Sequence, residues 1–458
     1  MACSKNPSKT SSDRACCLGL FIFLFTTFAS EVCFAAFASN FSLSLGELYT
    51  DNVFFEKHKE HDFITVITPK LTLLYAPPGE SIPTLNFNIS PSGQIFARHS
   101  NLNNFGDNIA LEGGYTQRFG PRFSVNFSDA LSRAGDSRTG SFGENGLLSP
   151  ATSPVAPGGV APSPVSQNLK DFVSGGAYLT NQFSLQGSYL YSPNASINGG
   201  YTNIYTNFID QGGSDIFHTI SVRGVYNWRQ EHNFHAGYSL SLAKSRNGDN
   251  NVIHNFDFGD DFFSNLQIRF SPTLTLAASS GISLNTGSGG LRIANNTNVT
   301  ITKIWETATL SGGLRKGLTP SFGVAGISNT TSLFSTFIMR ISEKLTANAN
   351  VDFSRYDTND VNFKTFQGRV GLQYLINSWL SSDLAYSYRW VDSGAGGAIS
   401  TLLEKGIVRG NTVILSLAAH FELWPNPGLA RSISSPFATP IVRTPFPTGA
   451  PSSATQIP

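Results

Sequence analysis

The chain has 458 residues, a length that soluble proteins usually divide among two or three domains. Only 13% of its residues are charged, whereas about a quarter are charged in a typical soluble protein, which argues against an ordinary soluble fold. Acidic and basic residues nearly cancel, at 30 and 31, which excludes the concentrated basic face of a nucleic-acid-binding protein. Aromatic residues reach 12% and mean hydropathy is −0.07, so the composition indicates strands with one face in lipid and the other in water.

Residues 1–38 predict a secretory signal peptide that is removed from the mature protein. Its basic residues are Lys5, Lys9 and Arg14. They precede an apolar core that spans Ala15–Ala29. Ala36 and Ala38 are small residues at the two positions that signal peptidase reads, so cleavage is expected before Ser39. A retained N-terminal anchor helix is the alternative, although the apolar run is short for a membrane span.

All the cysteines of the chain lie in this N-terminal segment, at Cys3, Cys16, Cys17 and Cys33. The residues before Cys16 and Cys33 do not form the lipobox of a lipoprotein. The predicted mature chain therefore lacks cysteine, which leaves neither a disulfide framework nor thiol catalysis.

From Phe41 to Phe421 apolar and polar residues alternate with a period of two, in segments of about ten residues. Eighteen such segments follow one another along the chain: 41–55, 62–75, 84–97, 107–118, 122–133, 182–192, 195–208, 215–227, 232–246, 262–271, 274–285, 292–303, 305–316, 328–340, 344–357, 362–376, 379–391 and 409–421. No stretch after the signal approaches the apolar length of a membrane helix, and a closed barrel is the other way to span lipid. We therefore predict an all-β fold over residues 39–421, a closed antiparallel up-and-down transmembrane β-barrel of about 18 strands, within a range of about 16 to 20.

The connections between the predicted strands fall into two classes that alternate, as in barrels with short periplasmic turns and longer outer loops. The short class comprises Gly120-Pro121, Pro193-Asn194, Ser271-Pro272, Ser342-Glu343 and Asn377-Ser378. The long class comprises Ala134–Asn181, Asn247–Asp261, Gly317–Ile327 and Asp392–Val408. Tryptophans are expected to form an interfacial girdle, with Trp228, Trp305, Trp379 and Trp424 beside periplasmic ends and Trp390 near an outer end.

Two segments lack the strand pattern. Residues 134–181 are rich in proline and glycine and are predicted to be a long outer loop, a plug in the lumen, or both. Residues 422–458 are rich in proline, serine, threonine and alanine and predict a disordered periplasmic tail. Asp51-Asn52, Gly113-Gly114 and Gly199-Gly200 are predicted to be structural, because Asp and Asn favour turns and paired glycines permit bending or close approach.

Short motifs carry a family resemblance. They are Tyr49-Thr50-Asp51-Asn52-Val53-Phe54, Asp62-Phe63-Ile64, Thr68-Pro69-Lys70-Leu71 and the hairpins at Tyr191-Ser192-Pro193 and Phe270-Ser271-Pro272-Thr273. Over nearly the whole mature chain this pattern resembles the β-barrel porin 2 family, which includes barrels found with exopolysaccharide-synthesis operons. The resemblance implies an outer-membrane barrel. Such barrels often end on a phenylalanine that assists assembly, whereas here Phe421 is followed by a further segment up to Pro458.

Nine charged residues fall on positions predicted to line the lumen: Glu112, Arg118, Arg223, Arg269, Arg340, Asp352, Arg369, Asp383 and Arg389. In a pore such residues set a constriction field and hence an ion preference. The alternative is that they pair across the lumen and stabilise the wall. The excess of arginine predicts a weak preference for anions.

No motif indicates catalysis or a cofactor. His58 and His61 lie near the first outer loop beside Glu56, Glu60 and Asp62, but such a loop cluster is usually solvated, so no metal site is predicted. No Ser/His/Asp spacing, phosphate-binding loop or zinc motif stands out, and the chain is not expected to be an enzyme. Spacing alone does not address a catalytic set assembled from distant strands.

The sequence leads to three hypotheses of function. The first is a passive, porin-like diffusion channel in the bacterial outer membrane. The second is an outer-membrane component of exopolysaccharide secretion, and the third is a non-conducting structural or adhesive barrel that binds through residues 134–181. The expected partners are outer-membrane lipid, the barrel-assembly machinery, and small hydrophilic solutes or a polysaccharide, with no nucleic acid.

Overall fold

The computed structural model describes residues 37–76, 84–134, 177–209, 212–229, 232–245, 250–264, 274–287, 290–320, 327–357, 362–393 and 406–424. These residues form a sheet of eighteen strands. The strands are β1 (Phe37–Thr50), β2 (Asp62–Tyr75), β3 (Leu85–Phe96), β4 (Asn104–Phe119), β5 (Phe123–Ala134), β6 (Tyr178–Ser192), β7 (Ala195–Phe208), β8 (Ser214–Arg229), β9 (His232–Lys244), β10 (Asn250–Ser264), β11 (Leu274–Gly287), β12 (Gly290–Ile304), β13 (Ala308–Pro320), β14 (Ile327–Arg340), β15 (Leu345–Asp357), β16 (Asn362–Leu375), β17 (Leu380–Ser393) and β18 (Gly406–Trp424). No helix in the described part of the chain is both long and apolar enough to cross a membrane.

The sheet closes on itself. Each strand pairs antiparallel with its neighbours in the sequence, and β1 pairs with β18 from Ser39 opposite Trp424 to Thr50 opposite Thr412. The predicted all-β, closed, up-and-down barrel and its strand number are therefore confirmed.

The strands carry their apolar residues on the outer face of the barrel. In β18, Val413, Leu415 and Leu417 are exposed, whereas the alternate residues Thr412 and Ala418 are buried. The same arrangement recurs around the sheet, so the outside of the barrel is a belt of leucine, isoleucine, valine and aromatic side chains. Each of these side chains is worth about 1.5–3 kcal/mol when it is removed from water, so the belt is stable in lipid. The protein is an integral barrel of the bacterial outer membrane.

One end of the barrel holds both ends of the strand array and most of the short turns, which in such barrels is the periplasmic end. Trp228 at the end of β8, Trp305 after β12 and Trp379 before β17 all lie at this end and are exposed. The ring centroids of Trp379 and Phe421 are 6.3 Å apart. Trp390 lies in the upper half of β17, and the side chain of Trp424 lies outside what the structure describes.

The position of one strand was predicted wrongly. Residues 247–261 were expected to be a long outer loop with a strand at 262–271, but β10 covers Asn250–Ser264. The asparagines and aspartates of this segment suggest turns, yet Asn251, Asn255 and Asp257 occupy the inner face, where Asn255 Nδ2 donates to Ser239 Oγ at 3.3 Å. The outer face of the same strand carries Phe256 and Phe258, so apolar and polar residues alternate here although the composition resembles that of a turn.

Strand ends also differ from the predictions. The first strand ends at Thr50 rather than at residue 55, and β18 continues to Trp424, into the segment assigned to the tail. The connection between β11 and β12 consists only of residues 288–289, so not all connections at the outer end are long. Several predicted features lie outside the described part of the chain. They are residues 1–36, which include Ala36, most of the predicted long loop (135–176), Arg269, the Ser271-Pro272 turn and residues 425–458.

Candidate functional site

The connection between β1 and β2, residues 51–61, folds over the inner wall at the outer end of the barrel. We call it the mouth segment. Val53 is fully buried in a cluster with Leu48, Ile64, Phe96 and Ile414. These four residues lie on the face opposite the exposed belt, because their neighbours along the strands are exposed outward. The mouth segment therefore covers the inside of β1, β2, β3 and β18 and narrows the outer opening.

Asn52 holds the mouth segment in place through its side-chain amide. Its Nδ2 donates to the carbonyl oxygen of Glu56 at 2.6 Å and to that of Arg409 at 2.8 Å, while its Oδ1 accepts from the Glu56 amide at 3.0 Å. The amide of Val53 also donates to the carbonyl of Glu60 at 2.8 Å. The segment is thus tied both to itself and to the first residues of β18.

Phe55 brings an aromatic ring against a charged residue of the wall. Its ring lies 5.0 Å from the guanidinium carbon of Arg389, a cation–π distance. Gly410 leaves room for this ring, since an added Cβ would stand 3.2 Å from it. Phe55 has a φ of 50°, a conformation that is unfavourable for a bulky residue and is retained here by the contacts around it.

A histidine joins the mouth segment to the next outer connection. His99 Nδ1 lies 2.7 Å from Asp62 Oδ2, and its Nε2 lies 2.7 Å from Glu60 Oε2. The hydrogen bond with Asp62, and then that with Glu60, raises the pKa of His99. The ring of Phe54 packs edge-on against the same imidazole at 5.1 Å. We therefore expect the attachment of the mouth segment to depend on the protonation of His99.

The predicted lumen-lining charges that the structure describes lie on the inner face. Arg223 follows the exposed, outward-facing Val222 and therefore lies on the inner face. Its Nη2 donates to Asp257 Oδ2 at 2.8 Å. His235 lies on the same inner surface, 4.0 Å from this aspartate. The group spans β8, β9 and β10, so Arg223 is paired rather than free in the lumen.

A second charged group lies on β13 to β17. The guanidinium carbon of Arg315 lies 4.4 Å from the centre of the Phe334 ring. Arg315 also interacts electrostatically with the carboxylate of Asp352. Phe334 in turn covers Gly313, where an added Cβ would meet the ring at 2.8 Å. On β16 and β17, Asp383 is the acid whose charge acts on Arg369.

Strand register connects Phe334 and Asp352 of the second group to Arg389, which lies against the mouth segment. Phe334 lies opposite Asp352, Asp352 opposite Gln367, and Gln367 opposite Arg389. Arg389 is only 6% exposed because the mouth segment lies over it. A row of charged and aromatic side chains therefore continues directly into the narrowed opening.

The remaining predicted charges are more open. Glu112 and Arg118 on β4 and Arg340 at the end of β14 are exposed, and the last two lie near the periplasmic end. The inner face of β5, β6 and β7 carries no charged residue among those described, and instead presents hydroxyls and amides such as Asn126, Gln186 and Asn198. The lumen wall is therefore charged on one side and neutral but polar on the other.

The histidines of the mouth segment do not assemble a metal centre. Within the described ranges, no group of three or more His, Cys, Asp or Glu side chains could hold a metal ion. His61 instead packs near Tyr49, with 6.4 Å between the rings, and Asp62 accepts hydrogen bonds from the backbone amides of Phe63, Arg98 and His99.

Several residues of the site were missed from the sequence. Arg315 alternates with Leu314 in a predicted strand and could have been identified by parity. Asp257 was hidden by the wrong position of its strand. Phe55 and His99 lie in or beside connections, and no local sequence signal places them at the lumen.

No family model matches the chain, and no curated protein matches it. Among solved structures, the chain is similar to Pseudomonas aeruginosa OccK2 (OpdF) in complex with glucuronate, with 10% identity, a TM-score of 0.42, and coverage of 85% of this chain and 98% of that chain. It is also similar to the outer membrane protein opdK from Pseudomonas aeruginosa, with 10% identity, a TM-score of 0.42, and coverage of 85% and 99%.

A third similar structure is a loop L8 deletion mutant of OmpT, an outer membrane protein of Vibrio cholerae, with 10% identity, a TM-score of 0.36, and coverage of 84% and 100%. Sequence identities and TM-scores this low identify no solute or partner for this chain. The resemblance to the β-barrel porin 2 family stays a prediction. What the chain's own geometry establishes is an outer-membrane β-barrel with a polar inner wall and a narrowed outer mouth.

Proposed function

We propose that the protein is a passive diffusion channel for small hydrophilic solutes. The observation that carries this proposal is the polar inner face, which runs from the amides of β5 to β7 to the ion pair of β8 to β10 and the charged residues of β13 to β17. A barrel of this strand number is wide enough to enclose water. A lumen lined by hydroxyls, amides and paired charges offers hydrogen bonds to hydrated solutes without trapping an ion of either sign.

The mouth segment sets the size limit in this proposal. It covers the wall at the outer opening and brings Phe55 against Arg389, which belongs to the same cross-strand row as Asp352. Because Arg223, Arg315 and Arg369 each have an aspartate nearby, their fields are largely cancelled and selectivity is weak. The small excess of arginine favours anions.

Planar-bilayer recording of the purified barrel tests the proposal. We expect stable single-channel conductance, and reversal potentials in a salt gradient that indicate weak anion preference. Negligible conductance, both in the full chain and after removal of residues 135–176, would exclude the channel. Clear cation selectivity would exclude the charge argument while leaving the channel intact.

Two boundaries of the mature protein are also proposed. Cleavage before Ser39 would remove Phe37 and Ala38, which pair with Tyr75 and Leu74 at the start of β1. Sequencing the N-terminus of the protein from isolated outer membranes tests this position. We further propose that residues 425–458 extend into the periplasm, which protease accessibility in intact and permeabilised cells tests.

A further inference from the structure

Arg389 on β17 is an arginine of the inner wall that the mouth segment covers. It is only 6% exposed, whereas Arg223, Arg315 and Arg369 on the same inner surface are partly exposed. A charge on the wall of a pore acts most strongly on ions that can approach it closely. The mouth segment therefore keeps permeating solutes away from the guanidinium of Arg389.

Phe55 fits over Arg389 because the neighbouring strand leaves a space for its ring. The residue directly opposite Arg389 on β18 is Gly410. A Cβ added at Gly410 would lie 3.2 Å from the ring of Phe55, so a larger residue there would push the ring away. The ring instead lies 5.0 Å from the guanidinium carbon, and Phe55 is itself only 8% exposed. The aromatic ring and the charged group thus bury each other.

The wall on both sides of Arg389 is neutral. The residues directly opposite it are Gln367 on β16 and Gly410 on β18. The nearby acids Asp352 and Asp383 each act on another arginine. Uncovering Arg389 would therefore add positive charge to the surface that solutes reach.

A guanidinium group recognises anions by direct contact. Arginine presents five N–H donors in a planar fork, which forms paired, charge-assisted hydrogen bonds with oxyanions. These hydrogen bonds are stronger than a cation–π contact at a partly hydrated site. An anion can form them with Arg389 only where the ring of Phe55 does not cover the guanidinium.

We propose that Arg389 is a specificity-determining residue that contacts anionic solutes only when the mouth segment is displaced. Opening of the mouth and preference for anions are then coupled. Neutral solutes enter by size alone, whereas small anions gain an additional contact once the mouth is open. This inference rests on the diffusion channel proposed above, and it assigns the anion preference to one state of the mouth rather than to the average charge of the lumen.

Single-channel recording tests the coupling when the selectivity of each conductance state is measured separately. At about 0.1 M salt, we expect the chloride-to-potassium permeability ratio to be about threefold higher in the larger state than in the smaller state. The reason is that an anion then approaches the charge to about 4 Å instead of about 8 Å. Arg389→Gln should keep both states and lose the difference between them.

Arg340→Gln is the matched control for Arg389→Gln. Arg340 is exposed on the inner face at the periplasmic end, away from the mouth segment, so its loss should lower the ratio of both states equally. Equal ratios in the two wild-type states, or a difference that persists in folded Arg389→Gln, would overturn the inference while the channel itself stands. Absence of conductance would instead refute the proposed channel.

Removal of the covering ring tests the same contact without displacement of the mouth segment. Phe55→Ala should raise the permeability ratio of the principal state by about threefold, and its combination with Arg389→Gln should abolish this increase. Phe258→Ala, which truncates a ring on the outer face with 66% exposure, should leave the ratio unchanged. Heat-dependent gel mobility shows whether each variant is a folded barrel. An unchanged ratio in folded Phe55→Ala would overturn the inference, and if Arg389→Gln does not fold, the comparison of Phe55→Ala with Phe258→Ala decides.

Discussion

Replacement of Asn52 by alanine releases the mouth segment in a way that can be quantified. The side chain makes three hydrogen bonds to backbone groups, two with Glu56 and one with Arg409. Leaving a buried backbone group without a partner costs about 1–3 kcal/mol, and partial access to water at the mouth reduces this. We therefore expect a total of about 2 kcal/mol, which raises the population of the released segment by about 30-fold.

Single-channel recording measures this release directly. The expected result for Asn52→Ala is more frequent visits to a larger conductance state, together with faster entry of larger sugars into liposomes. Asn295→Ala is a matched control, because Asn295 Oδ1 accepts only a local bond from Thr297 on the outer face of β12, at 3.0 Å. If folded Asn52→Ala has the conductance and sugar cut-off of the wild type, the mouth segment does not narrow the channel.

Further expectations concern pH, charge and packing. The folded-state pKa of His99 is raised above 6.5, so its bridge stabilises the attached mouth segment fully below that pH and is lost as pH rises through the folded pKa. Wild-type conductance should therefore increase with pH, whereas the conductance of His99→Gln should not. A decrease of conductance with pH would contradict this sign. Asp257→Asn leaves Arg223 without its ion-pair partner, and reversal potentials should move toward stronger anion preference, whereas an opposite movement would exclude this group from the ion path. Gly313→Ala places a Cβ against the backbone carbonyl oxygen of Val299 and against the Phe334 ring, and it should destabilise the barrel by about 1–3 kcal/mol in urea titrations. Gly113→Ala, with 3.9 Å of clearance, should not, and equal effects would refute the packing argument.

The alternation of the strands could be predicted because each side of the wall has its own solvent. The apolar residues Val413, Leu415 and Leu417 indicate the lipid-facing side, and the polar residues Thr412 and Ser416 indicate the inner side. This assignment does not require knowing which residues lie on the neighbouring strands. The same rule failed in β10, because asparagine and aspartate on its inner face resemble a turn when read one residue at a time. Their partners, such as Arg223, come from other strands.

The mouth segment was beyond sequence reasoning for a different reason. Val53 and Phe55 continue the parity of Tyr49, so a period of two assigns them to the lipid face of a longer strand. The chain instead turns after Thr50, where Asn52 binds Glu56, and this reverses their direction. Similarly, parity places Arg369 and Asp383 on the inner face, but it does not show that the charge of Asp383 acts on Arg369, because the two residues lie on different strands.

The mouth segment also fastens the end of the first strand to the last strand. The amide of Asn411 donates to Asp51 Oδ1 at 2.6 Å, its Nδ2 donates to Asp51 Oδ2 at 2.8 Å, and Asn52 binds the carbonyl of Arg409. These bonds join residues separated by almost the entire strand array, and such long-range pairings form late because the chain between them must be ordered first. They add to the β1–β18 pairing that closes the barrel, at the outer end of the seam between these two strands. The segment proposed to limit passage therefore also reinforces this seam, and a solute that displaces it would remove these additional bonds while the strand pairing below them stays in place.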